Sequence, residues 1–119
     1  MTDDVKHLTG GCLCGHVKFK VDGRMRPIVA CHCSQCRKQT SNFLAATNAK
    51  NSDVTFLETK GLKWFRSSDQ AERGFCQDCG SMLFWRRFES DEISLSAGAL
   101  DGKTGLKISE HIYVADKPD

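Results

Sequence analysis

The chain contains seven cysteines, and their spacing divides them into three groups. The groups are Cys12-Leu13-Cys14, Cys31-His32-Cys33-Ser34-Gln35-Cys36 and Cys76-Gln77-Asp78-Cys79. Thiolate sulfur is a strong ligand for zinc, which structural sites hold with four tetrahedral ligands and catalytic sites with three. Cysteines that act only as small apolar core residues need no such clustering. The spacing therefore predicts metal binding.

The third group has the form of a zinc knuckle. Cys76 and Cys79 are separated by two residues and followed by Gly80, which lets the backbone turn so that both sulfur atoms reach one ion. The same spacing occurs in redox dithiols, but those belong to a βαβ context, whereas this segment lies between predicted strands. The knuckle predicts two ligands of a structural site that needs two more.

Either of the other two groups could supply the missing pair of ligands. If Cys12 and Cys14 supply them, a four-cysteine site is complete, and the three remaining cysteines form a group of their own. Those three are Cys31, Cys33 and Cys36. Three protein ligands leave an open fourth position on a metal ion, which is the feature that distinguishes catalytic from structural zinc.

His32 lies inside the central group and is an alternative fourth ligand, which would close the second site and make it structural. Side chains alternate along an extended segment, so His32 would point away from the ion that Cys31 and Cys33 bind. We therefore expect His32 to be a core residue or to support the ligands from behind.

The composition is that of a globular protein. Its 119 residues suit one unit, and we expect a single zinc-binding domain over residues 1–119. Hydrophobic residues make up 39% and charged residues 27%, which excludes a disordered chain. Residues 1–4 lack signal-peptide features and no apolar run reaches the length of a membrane helix, so we expect a cytoplasmic protein without a membrane partner. That compartment and the odd number of cysteines disfavour disulfides.

The elements that must position the cysteines are predicted to be mainly β-strands. Residues 16–21 alternate between apolar and polar, which predicts a strand, and Asp22-Gly23 predicts a turn after it. Only residues 34–39 favour a helix, of at most about two turns. Further strands are expected at 43–47, 54–58, 61–66, 81–86, 93–97 and 107–114.

Aromatic residues beside arginines could form a stacking surface for single-stranded nucleic acid. Aromatic side chains at alternating strand positions usually fill a small β core, so we expect no nucleic-acid partner. The aromatic residues concerned are Trp64, Phe65, Phe84, Trp85 and Phe88. The chain has no glycine-rich phosphate loop, and the sequence therefore predicts no nucleotide cofactor.

The cysteine motifs, taken with their neighbours, resemble those of the glutathione-dependent formaldehyde-activating enzyme family, to which centromere protein V also belongs. The motifs are Gly11-Cys12-Leu13-Cys14-Gly15, Cys31-His32-Cys33-Ser34-Gln35-Cys36-Arg37-Lys38 and Phe75-Cys76-Gln77-Asp78-Cys79-Gly80-Ser81. They occur in order, and the resemblance covers roughly residues 8 to 117. It implies a β-tent-like fold of layered antiparallel sheets with zinc knuckles, related to methionine sulfoxide reductase B.

The resemblance also implies two zinc ions and a role for each cysteine. The implied structural ligands are Cys12, Cys14, Cys76 and Cys79. The implied ligands of a second, catalytic zinc are Cys31, Cys33 and Cys36.

The activity implied by the resemblance is that of a zinc-dependent carbon–sulfur lyase or thiol-adduct enzyme of the S-(hydroxymethyl)glutathione synthase type. The expected partners are a small thiol such as glutathione and formaldehyde or a similar aldehyde. Three thiolates on Zn²⁺ carry a net negative charge, so cations should lie nearby, and Arg37 and Lys38 directly follow the last ligand. These two residues are candidates to assist binding of the thiol, or else they are ordinary solvent-exposed surface residues. The alternative is a non-catalytic two-zinc binding or interaction module.

Overall fold

The computed structural model describes residues 5–117, and over that range the chain forms ten strands, one short α-helix and three single turns of 3-10 helix. The prediction made from residues 1–4, and both ends of the expected domain, lie outside the described residues. No helix within them is long and apolar enough to cross a membrane. The elements are β1 (Val5–Gly11), β2 (Lys18–Arg24), β3 (Ile28–Cys31), α1 (Ser34–Thr40), β4 (Leu44–Lys50), β5 (Val54–Glu58), β6 (Leu62–Arg66), β7 (Ala71–Cys76), β8 (Met82–Arg87), β9 (Glu92–Ser96) and β10 (Ile108–Ile112).

The strands form two sheets. The smaller has three strands in the order β1-β2-β5, and the larger has seven in the order β10-β3-β4-β9-β8-β7-β6. Neighbouring strands are antiparallel except β10 and β3, which are parallel. The predicted mainly β fold of layered antiparallel sheets is thereby confirmed, with one parallel pair added at an edge.

The main core lies between the two sheets. Phe19 of β2 meets Phe84 of β8 edge to face, with ring centroids 5.1 Å apart, and both side chains are fully buried. Phe56 of β5 reaches the same ring at 5.4 Å. Burying these rings removes a large apolar area from water, and this burial is the main force that holds the sheets together.

One local prediction from the sequence is wrong, and several strands were missed. Asp22 and Gly23 do not form a turn but continue β2, where they pair with His7 and Lys6 of β1. Three strands, β1, β3 and β7, were not predicted at all. In each case pairing with a neighbouring strand supplies backbone hydrogen bonds that local residue preference does not reveal. The short helix after Cys33 is confirmed as α1.

The expectation that the aromatic residues fill the core needs correction. Phe84 is fully buried, but Phe65 is 58% exposed and Phe88 is 38% exposed. Phe65 lies on β6, which is the edge strand of the larger sheet, and Phe88 follows the end of β8. A strand at the edge of a sheet has no neighbour on one side, so some of its side chains stay exposed. The alternation of apolar and polar residues in the sequence therefore predicted more burial of these aromatic side chains than the structure has.

Candidate metal centre and active site

The first candidate site contains the cysteines of the first and third groups, called here the four-cysteine group. Its members are Cys12, Cys14, Cys76 and Cys79, whose sulfur atoms all lie within 4.8 Å of one another. The first two follow β1 of the smaller sheet, whereas Cys76 ends β7 of the larger sheet and Cys79 lies in the turn before β8. An ion held here would join the two sheets.

The spacing of the sulfur atoms in this group fits a tetrahedral metal ion. The Sγ atoms of Cys12 and Cys14 are 3.7 Å apart, and those of Cys14 and Cys76 are 3.6 Å apart. Four sulfur atoms at about 2.3 Å from zinc would be separated by about 3.8 Å from one another. The four-cysteine group could therefore hold a metal ion with little rearrangement.

Two glycines allow the backbone to bring Cys76 into this group. Gly80 has a φ of +82°, in the left-handed region, and its N–H donates to the carbonyl of Cys76 at 2.8 Å to close the knuckle turn. A side chain at Gly61 would place its Cβ 2.7 Å from the sulfur of Cys76. A larger residue at position 61 would therefore push directly against this candidate ligand.

Ser81 supports the four-cysteine group, a role that was not predicted from the sequence. Its hydroxyl oxygen accepts a hydrogen bond from the backbone N–H of Leu13 at 3.1 Å and lies 3.3 Å from the sulfur of Cys79. Hydrogen bonds from the Ser81 side chain and backbone lower the pKa of the Cys79 thiol to about 5. Ser81 thus favours the thiolate form, which is the form that binds metals.

The second candidate site contains Cys31, Cys33 and Cys36, called here the three-cysteine group, whose sulfur atoms also lie within 4.8 Å of one another. Cys31 ends β3, Cys33 caps the start of α1, and Cys36 lies inside that helix. The sulfur of Cys33 accepts a hydrogen bond from the backbone N–H of Cys36 at 3.4 Å. The turn into the helix therefore gathers all three thiols on one side.

His32 does not join the three-cysteine group. Its Nε2 lies 2.8 Å from Nδ1 of His111, and its buried ring packs against Phe43. Among the residues that the structure describes, no histidine or carboxylate adds a fourth ligand atom to these three sulfur atoms. This position agrees with the expectation that His32 points away from the three cysteines. An ion bound by the three sulfur atoms would therefore have one coordination position without a ligand from the described residues.

A cavity of about 490 Å³ opens beside the three-cysteine group, and all three cysteines line it. Its other walls include the apolar side chains of Leu44 and Ile112 and the aromatic rings of Trp85 and Tyr113. A space of this size accommodates a small organic molecule. The three thiols therefore face a volume in which a ligand could approach them.

The sequence is similar to those of known proteins. The sequence profile described as "Glutathione-dependent formaldehyde-activating enzyme" matches residues 7–116, nearly the whole chain. The chain belongs to this family. The family resemblance noted from the cysteine motifs is thereby confirmed.

Two relatives of this family member are informative. An uncharacterized lyase of Schizosaccharomyces pombe is 29% identical over 112 residues, which cover 92% of this chain and 80% of the relative. A crystal structure of a Rhodobacter sphaeroides protein superimposes with a TM-score of 0.72 at 23% identity, covering 87% of this chain and 98% of the other. The structural match shows that the fold is shared.

Arg73 lies at the second candidate site of this family member and was not predicted from the sequence. It lies on β7, lines the cavity and is only 3% exposed, and its guanidinium donates two hydrogen bonds to the sulfur of Cys36. Burial raises the pKa of the Cys36 thiol to about 12, although these hydrogen bonds act in the opposite direction. Because β7 was not predicted, nothing in the sequence pointed to a buried arginine at this position.

Arg37 and Lys38, the cations expected from the sequence, lie on α1 but do not line the cavity. Arg37 is half-buried, and its Nε has no hydrogen-bond partner among the described residues, whereas Lys38 is exposed. The arginines that do line the cavity are Arg26, Arg73 and Arg87. Any effect of Arg37 and Lys38 on a bound molecule therefore acts through their charge over a distance.

Proposed function

We propose that this protein is a zinc-dependent carbon–sulfur lyase or thiol-adduct enzyme, which joins a small glutathione-like thiol to formaldehyde or a similar aldehyde. Membership of the family and the lyase relative support this class of reaction. The observation that carries the proposal is the three-cysteine group facing a cavity of about 490 Å³.

We assign two zinc ions to the protein. The four-cysteine group would hold the first as a structural ion, and Cys31, Cys33 and Cys36 would hold the second. A zinc ion with three thiolate ligands supplies an open position at which a substrate thiol is stabilised as its thiolate near neutral pH. The protein holds the three cysteines in place, and the walls of the cavity orient the thiol and restrict water.

The proposed reaction balances without a further reactant. The S–H bond of the thiol breaks and a carbon–sulfur bond forms to the aldehyde carbon. The electron pair of the carbonyl π bond moves to oxygen, and the proton released by the thiol ends on that oxygen. The product is a hydroxymethyl thioether, and the lyase direction is the reverse of these steps.

Glutathione should bind directly to the protein loaded with Co²⁺ in place of zinc, and binding should change the thiolate-to-metal absorption. Because ligation requires the thiolate, binding should release a proton and become weaker as the pH falls. Titration with glutathione at several pH values measures both effects, and the methyl thioether of glutathione is the matched control that should not bind. An unchanged spectrum with glutathione and with other small thiols would favour a non-catalytic two-zinc module.

Arg37 and Lys38 are proposed to attract the anionic thiol through their charge. Replacing both by alanine should weaken glutathione binding by about 1 kcal/mol at low ionic strength, and the difference should shrink as salt is added because exposed charges are screened. Isothermal titration at two salt concentrations measures the effect. The double variant Lys60→Ala and Lys63→Ala, which removes two positive charges elsewhere, is the control. Equal losses in the two double variants would show that only net charge matters.

A further inference from the structure

Arg73 is a buried charge whose guanidinium contacts Cys36 of the three-cysteine group and two glutamines of α1. Its Nη1 and Nη2 donate to the sulfur of Cys36 at 3.4 Å and 3.5 Å. None of the ion pairs within residues 5–117 includes Arg73. A buried arginine without a carboxylate partner is costly unless another negative group lies beside it, because the guanidinium stays charged. The group beside the guanidinium is the sulfur of Cys36, which would carry negative charge as a ligand of a metal ion.

The guanidinium is held in a fixed orientation by helix α1. Gln39 accepts a hydrogen bond from Nη1 at 2.9 Å, and Gln35 accepts one from Nη2 at 3.3 Å. Gln35 directly precedes Cys36, and Gln39 lies about one helical turn after it. Two neutral acceptors therefore aim the cation at the sulfur without neutralising its charge.

The charge of the site explains why a cation belongs there. A divalent ion with three thiolates has a net charge of −1, and a bound substrate thiolate takes it to −2. Arg73 supplies a positive charge in direct contact with the sulfur of Cys36, in a buried position where the attraction is little screened. Neither Gln35 nor Gln39 could supply it, since both are neutral.

We propose that Arg73 is a positioning residue that fixes the sulfur of Cys36 in the three-cysteine group and would offset the negative charge of that group when it holds a metal ion, so that a thiolate-bearing substrate can bind there. This inference rests on the proposed function and extends it to a residue of β7. It also links the two sites, because the same strand ends at Cys76 of the four-cysteine group three residues later.

The test compares Arg73→Gln, Arg73→Lys and the unmodified protein, each titrated with Co²⁺ and then with glutathione. The glutamine variant should hold the second equivalent of Co²⁺ at least tenfold more weakly, with a shifted thiolate-to-metal band, and should bind glutathione at least tenfold more weakly when loaded. The first equivalent should be unaffected. The lysine variant should recover part of both affinities because it restores the charge but not the two-pronged contact.

The matched control is Arg86→Gln, on the neighbouring strand β8. Arg86 stacks over Trp64 and pairs with Glu72, so its loss removes a partly buried arginine without touching the three-cysteine group. It should leave the second equivalent of Co²⁺ and its spectrum unchanged. An equal weakening in this control would overturn the proposal, because it would show that any loss of arginine packing has the same effect.

The remaining outcomes separate this inference from the proposed function. If the unmodified protein binds two ions and glutathione, and Arg73→Gln does so with equal affinity and spectrum, the inference about Arg73 is overturned and the proposed function stands. If the unmodified protein binds no second ion, the proposed function fails, and this inference fails with it. If Arg73→Gln does not fold, Gln39→Ala on the exposed side of α1 decides: severalfold weaker binding of the second ion supports the inference, and unchanged binding overturns it.

Discussion

Replacing Cys76 by serine should lower the free energy of unfolding by more than about 4 kcal/mol, since loss of a metal ligand is among the few single changes with effects of that size. Cys76 is fully buried and its sulfur lies 3.6 Å from that of Cys14, so the proposed ion would connect β7 of the larger sheet to the segment after β1 of the smaller one. The melting temperature should fall by more than about 15 °C. Thermal unfolding followed by circular dichroism measures it.

The matched control for this change is Gln77→Ala, in the same knuckle turn. The Gln77 side chain is exposed and offers no sulfur, so the free energy of unfolding should stay within about 0.5 kcal/mol of that of the unmodified protein. A chelator should lower the melting temperature of the unmodified protein and of Gln77→Ala alike. An unchanged melting curve for Cys76→Ser would contradict the proposed structural site, and sensitivity to a reductant instead of a chelator would indicate disulfides.

Replacing Cys33 by serine should remove one metal ion and lower the rate of adduct formation at least about 100-fold, while the fold persists. The sulfur of Cys33 caps α1 by accepting the N–H of Cys36, and serine is a favoured residue at that position, so the helix should still form. Metal analysis of the purified variant measures the first effect. Exchange NMR with glutathione and formaldehyde measures the second.

Two further variants show how the result for Cys33→Ser should be interpreted. Cys31→Ser should behave as Cys33→Ser does, because both residues belong to the three-cysteine group. Gln77→Ala should keep both ions and full activity. Loss of both ions from Cys33→Ser would show a shared metal cluster, and full activity with one ion would remove the second site from the reaction.

The sequence indicated which cysteines belong to each of the two groups. Cys31, Cys33 and Cys36 lie within six residues of one another, so a strand end and a short helix are enough to gather their sulfur atoms. The pairing of Cys12 and Cys14 with the knuckle spans more than 60 residues; counting the ligands that tetrahedral zinc requires allowed this pairing, and the family resemblance implied it. The structure brings together the same two sets.

The strands with strong local signals were also predictable. Residues 54–58 were expected to be a strand with the bounds that β5 has, and the helix after Cys33 has the predicted length of about two turns. Strands β1, β3 and β7 lack such signals, because their extended conformation depends on hydrogen bonds with the neighbouring strands β2, β4 and β8. Residue preference is weak in strands, and the neighbouring strand decides the outcome.

The sequence by itself determined the family, the mainly β architecture and the thiols that could bind metal, since short-range spacing and residue chemistry encode all three. Only the tertiary structure decided which cation faces those thiols. Arg37 and Lys38 are adjacent to Cys36 in sequence but do not line the cavity, whereas Arg73 contacts its sulfur from 37 residues away. The reason is that the pairing of β7 with β6 and β8 sets which way the side chain of Arg73 points, whereas the packing of β7 against α1 joins segments that are distant in the sequence and that local residue preference does not encode.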